Sequence, residues 1–110
     1  MLNRDQILAL GFKSEVVATR DGDFRVRVMS GAVREEFEAA MKREETSPTG
    51  TIRAGWLRWT VCDDAGALLF TDDDVSKLAL LDADVLIQVF EAALRINGMG
   101  KNAVEAAEKN

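Results

Sequence analysis

Histidine and tyrosine are absent from the 110 residues, and cysteine and proline occur once each, as Cys62 and Pro48. Without histidine the chain lacks the commonest general base, the usual activator of a nucleophilic serine or cysteine, and the commonest transition-metal ligand. A single cysteine excludes an intramolecular disulfide and a zinc site built on a cysteine cluster. No apolar run approaches the roughly 20 residues of a membrane-spanning helix. The start, Met1-Leu2-Asn3-Arg4-Asp5, has no basic stretch leading into an apolar block, which argues against a secretory leader. Together these absences argue against an enzyme, and they predict a cytoplasmic protein with no cofactor and no membrane contact.

What is present is enough for one domain. The apolar share is 47%, too high for a disordered chain, and 110 residues can bury a real but modest core. Charge is uneven. Residues 1–60 carry ten Lys/Arg against nine Asp/Glu, whereas residues 61–110 carry four against ten. An acidic second half argues against general nucleic-acid binding, which needs a basic face. It suits solubility, or an acidic surface for a basic or partly unfolded protein partner.

Hydrophobic spacing predicts an α+β fold, in which two β-hairpins form a small antiparallel sheet packed against about four to five helices. Residues 1–43 read as a short helix capped by Asn3 and stopped at Gly11, a hairpin, and a helix capped by Ser30. In the hairpin, residues 14–20 are rich in β-branched side chains and residues 21–23 are turn chemistry. Residues 24–29 then alternate, with Phe24, Val26 and Val28 on one face and Arg25 and Arg27 on the solvent face. Val33, Phe37, Ala40 and Met41 recur at helical spacing. Residues 44–55, which hold Pro48, read as a polar loop.

Residues 52–62 fit two periods. Ile52, Trp56 and Trp59 would share a helix face, whereas Leu57, Trp59 and Val61 would share a strand face. The strand pattern is cleaner from Trp56 onward, and Gly55 counts against a helix running through it. A second hairpin is therefore expected over 56–70, turning at Asp63-Asp64-Ala65-Gly66. It places Trp59 in the core and Trp56 on the opposite face, where tryptophans favour interfaces.

Residues 71–97 read as helices. Thr71 is the expected cap of the first, with Asp72, Asp73 and Asp74 set against the positive end of its dipole. A calcium loop does not fit, because Lys77 and Ala83 fall where its glycine and bidentate glutamate belong. Asp82 is the expected cap of the next helix. There Val85, Leu86, Val89, Phe90, Ala93 and Leu94 make a wide apolar stripe, ended by Asn97-Gly98. Residues 98–110 read as a connection followed by a last helix, either frayed or ordered on binding. Gly98-Met99-Gly100-Lys101-Asn102-Ala103 matches a dinucleotide fingerprint in letters alone, since it follows a helix and no βαβ unit surrounds it.

No catalytic constellation emerges. Ser14, Ser30, Ser47 and Ser76 have no histidine to activate them, and Cys62 lies beside two aspartates that disfavour its thiolate. Residue chemistry alone leads to a protein-interaction module.

The order of three stretches resembles the tail assembly chaperones of long-tailed bacteriophages. They are the hairpin-to-helix passage over 24–38, the turn and cap over 61–75, and the ending over 90–98 with 103–110. The resemblance implies a non-enzymatic, cytoplasmic protein that binds the tape measure protein and keeps it soluble until tail-tube subunits polymerise around it. It implies self-association into rings or spirals, and the tail-tube protein as a further partner. It also implies the short member of a frameshifted gene pair, to which the ending Glu108-Lys109-Asn110 is suited. Trp56, Trp59, Phe90 and Leu94 are the candidate client or self-association surface. The alternative is a small prophage-borne regulator or adaptor.

Overall fold

Local capping chemistry starts the fold. In a computed structural model that describes residues 1–99, helix α1 (Arg4–Leu8) begins with a reciprocal pair: Gln6 N–H donates to Asn3 Oδ1 at 2.9 Å, and Asn3 N–H donates to Gln6 Oε1 at 3.0 Å. The helix stops before Gly11 and buries none of its residues.

Strands β1 (Ser14–Thr19) and β2 (Gly22–Arg27) form the expected first hairpin, pairing antiparallel from Ser14 with Arg27 to Thr19 with Gly22. The turn is tighter than the sequence suggests. Arg20 and Asp21 alone make it, and Thr19 Oγ1 donates to the Gly22 carbonyl at 2.6 Å. Val17 and Val26 point to the core, while Arg25 and Arg27 lie on the other face.

Ser30 caps α2 (Gly31–Thr46), its Oγ accepting from Val33 N–H at 3.2 Å. This helix runs three residues beyond the expected end, and Pro48 then prevents its continuation. The polar loop over 44–55 is accordingly shorter than expected, because α3 (Ile52–Thr60) has already begun at Ile52.

The second hairpin is the main correction. Its first arm is only β3 (Val61–Cys62), which pairs with β2 through Val26–Val61 and Arg25–Cys62. Leu68 bridges back to Cys62, and the turn between them is held by the Asp63 carboxylate, which accepts from Ala65 and Ala67 N–H at 2.8 and 3.0 Å. Residues 56–60 are helical instead. The physical reason is burial. A strand would turn Trp56 to water, whereas the helix buries Ala54, Trp56, Leu57, Trp59 and Thr60 together. Gly55, which should disfavour a helix by about 1 kcal/mol, is where α2 packs against α3: a side chain there would meet Met41 Cε at 3.7 Å. The buried Thr60 hydroxyl is satisfied by donating to the Trp56 carbonyl at 2.6 Å.

Thr71 precedes a single tight turn, Asp72–Asp74, and α4 (Val75–Leu78). Asp74 reaches back to accept from Thr71 N–H at 2.9 Å, the bond a capping-box acid makes. Asp82 stands at the cap position of α5 (Ala83–Ile96) but makes no cap bond. Its carboxylate is taken by Arg20, which also pairs with Asp84 at 2.9 Å. A charge-assisted bond to a guanidinium outcompetes a neutral N–H for that oxygen. The Asn97-Gly98 ending forms as expected. Gly98 has φ +77°, Met99 N–H donates to Leu94 O at 2.8 Å and Gly98 N–H to Arg95 O at 3.1 Å, the two bonds of a Schellman stop.

The described residues form an α+β fold: a three-stranded antiparallel sheet in the order β1-β2-β3, made by two hairpins, with five helices. Val89, Ala92 and Ala93 of α5, Leu57 and Trp59 of α3, and Val17, Val26 and Val61 of the sheet meet in one core. The last helix expected over 101–110 lies outside the described residues.

Candidate protein-docking groove

Trp59 lies in the core as expected, and Trp56, expected on the opposite face, is buried as well. Trp56 is 5% and Trp59 6% exposed. Trp56 stands between two phenylalanines, edge-on to Phe37 at 4.5 Å and to Phe90 at 6.1 Å between ring centres. Trp59 lies under the Arg58 guanidinium, 3.6 Å from its ring centre, and Arg58 is in turn held by Asp72 at 2.9 Å. Neither ring is free to bind a partner, so both leave the candidate surface.

Phe90 and Leu94 remain on it. With Leu86 they form an i, i+4, i+8 row on α5, half-buried and packed against the core beside Val89 and Ala93. The row makes one wall of a groove of about 480 Å³. The other wall is the start of α3, with Thr51, Ile52, Arg53 and Ala54, and Ala79 lies at one end. Arg53 spreads over the Phe90 ring at 5.6 Å. Ile52 also borders a second, separate hollow of about 330 Å³ against Met41, Glu44, Glu45 and Pro48, and so stands between the two. Ile52 is 47% exposed, and Leu80, just beyond Ala79, is 84% exposed.

The polar rim of the second hollow is fixed. Glu44 accepts from Thr49 Oγ1 and Thr49 N–H, each at 2.8 Å, and from Gly50 N–H at 3.1 Å. The Thr49 hydroxyl, then the two N–H groups, hold its carboxyl below the usual glutamate range. No salt bridge reaches Glu44 or Glu45 among the described residues.

The opposite face of the sheet is polar and already occupied. Arg25 donates to Ser14 Oγ at 3.0 Å and pairs with Asp64 at 3.4 Å. Arg27 donates to the Gly66 carbonyl at 2.7 Å and carries the Phe12 ring 4.6 Å above it. Cys62 is buried beneath them. Burial pushes its thiol up, against the opposing pull of Arg27 and Arg25. Among the described residues no group of three Cys, Asp or Glu side chains is disposed to hold a metal ion. No described helix is long and apolar enough to cross a membrane.

Sequence reasoning found the α5 row but missed its partners. Ile52 and Ala54 become a wall only because 52–60 is helical. Phe12 was not singled out at all, and no local signal marks it, since its contacts are with Arg27 and Gly66 across the chain. The chain matches no protein-family model, no curated protein and no solved structure.

Proposed function

We propose that the protein binds the apolar face of a helical segment of another chain and does no covalent chemistry, as a phage tail assembly chaperone that shelters the tape measure protein. The observation that supports this most is the groove between α3 and α5, an open concave surface lined by Ile52, Leu86, Phe90 and Leu94 together with Thr51 and Arg53. Such a groove accepts side chains at i, i+3, i+4 and i+7 of an amphipathic helix. Its openness suits the task. A tape measure must be handed on to the tail tube, so each contact has to be weak, and repetition along a long client supplies the avidity. The resemblance over 24–38, 61–75 and 90–98 with 103–110 suggests the client; the groove is the surface proposed for it.

The test is co-expression with a tape measure fragment, comparing the native protein with Ile52→Glu, a change at an exposed position at the start of α3. The native protein keeps the fragment in the soluble fraction and co-purifies with it, and the variant folds but does not. Equal recovery with both proteins overturns the groove as client site. The locus is an independent check. Virion genes for a tube protein and a tape measure on either side support the chaperone role, and a locus without them favours the adaptor.

A further inference from the structure

Among the described residues, the groove between α3 and α5 holds one charged side chain. Arg53 lies with its guanidinium over the Phe90 ring, midway along the Leu86-Phe90-Leu94 row, and the other described residues that line the groove carry no charge. Arg4, Arg20, Arg25, Arg34, Arg58 and Arg95 each pair with a carboxylate, whereas no ion pair reaches Arg53 among the described residues. Arg43 shares that lack but lines neither hollow. Nor does Arg53 serve its own helix. It stands in the first turn of α3, which holds no acid, against the positive end of the dipole, where an acid is the favoured residue. We infer that Arg53 sets the specificity of the groove, selecting a helix that carries a carboxylate within its apolar side.

This rests on the reading of the groove as a client site and adds the chemistry of the client. A helix laid over Phe90 takes Arg53 out of water. Resting over an aromatic ring, the guanidinium keeps its N–H edges for a carboxylate, which two parallel bonds can hold. An apolar or basic residue at that point leaves the charge covered without a partner, and the penalty rejects it. The sign changes beyond Ile52, where Glu44 and Glu45 border the second hollow. Glu44 is taken by Thr49 and Gly50, and no salt bridge reaches Glu45 among the described residues. Lys42 precedes them but lines neither hollow. An acid displaced past Ile52 meets like charge, so the two sides of Ile52 together favour one register.

The test uses the full chain and designed helical peptides that share one apolar side and differ only at its centre, as Glu, Gln or Lys. Binding is read by fluorescence polarisation of a label on the peptide. The native protein is expected to prefer the Glu peptide over the Gln peptide by about tenfold, as a hydrogen bond between charged groups allows. It should prefer Gln over Lys in turn, with the spread narrowing as salt is raised. Arg53→Glu is expected to reverse the order, and Arg53→Gln to flatten it. Both variants should keep a native melt, since the position is exposed and an acid there suits the helix start. A changed preference then reports recognition and not unfolding. Equal affinity of the native protein for the three peptides overturns the inference and leaves the client reading standing. A preference that survives Arg53→Glu also overturns it, because the selection then arises elsewhere. No binding of any peptide overturns it as well, and removes the groove as a docking surface.

Discussion

Asn97 ties the end of α5 to the end of β2 through Met29: the Met29 N–H donates to Asn97 Oδ1 at 2.9 Å, across 68 residues of sequence. The same amide donates through Nδ2 to the carbonyls of Arg27 at 3.2 Å and Ala93 at 2.9 Å. One side chain thus satisfies a strand end and a helix end together. Asn97→Ala leaves the Met29 N–H and Arg27 carbonyl unpaired in a partly buried site, and is expected to destabilise by about 2 kcal/mol. Asn97→Asp keeps the acceptor for Met29 but turns a carboxylate oxygen toward two carbonyls. Urea denaturation at neutral pH should therefore rank native above both variants, with Asp losing part of its deficit as the pH falls and it protonates.

Trp56 is core. Its ring closes the space between Phe37 and Phe90, and Trp56→Ala is expected to lose about 3–5 kcal/mol, a large part of the stability of a domain this size. Trp56→Phe should lose much less. Thermal melting checks both. A Trp56→Ala variant with an unchanged melting temperature and altered association would restore the surface role that its place in the sequence suggested.

Trp56 also shows where sequence reading stops. The first hairpin and α5 were legible because alternation over 24–29 and the stripe from Val85 to Leu94 each fit only one period. Residues 56–60 fit two, and so short a segment is decided by what it packs against. Gly55 opposite Met41, and the joint burial of both tryptophans, settle it as helix. Caps were legible where the competitor is local, as at Asn3 and Ser30. Asp82 was not, because the group that takes its carboxylate, Arg20, is 62 residues away. Phe90 and Leu94 were found as half a groove, since the other half depended on the helix over 52–60.

Gly66 stands at φ +87°, and a Cβ there would lie 2.7 Å from the Phe12 ring. Gly66→Ala therefore meets two penalties, a left-handed backbone worth about 1–2 kcal/mol and a clash that displaces Phe12 from Arg27. Denaturant unfolding should show a loss of about 1–3 kcal/mol. Combining it with Phe12→Ala should give less than the sum of the two changes, since the clash is gone.

Glu44 is held ionised by Thr49 and Gly50, so its carboxyl titrates lower in the folded chain than in the unfolded one. That contribution is present above the ordinary glutamate pKa of about 4.3 and is lost as pH falls through the lowered value. Glu44→Gln should melt below the native protein at neutral pH, and the gap should close in acid. Melting curves across the acid range read this directly. A gap independent of pH would mean that geometry alone, not charge, holds the 47–51 turn.

Cys62 carries the opposite sign. Burial raises its thiol above the ordinary value, so the folded chain favours the neutral form. The stabilisation is complete below the unfolded thiol pKa of about 8.5 and is lost as pH climbs through the raised value. Native protein should therefore show an alkaline decline in melting temperature that is shallower in Cys62→Ala, although that variant melts lower near neutrality for the buried atoms it lacks. A disulfide exchange reagent should react with Cys62 slowly in buffer and at full speed in denaturant, since the thiol is only 3% exposed beneath Arg25 and Arg27. Fast labelling of the folded chain would place the β3 edge in frequent opening, and would require the Arg25–Asp64 and Arg27–Gly66 contacts above it to be weaker than their geometry implies.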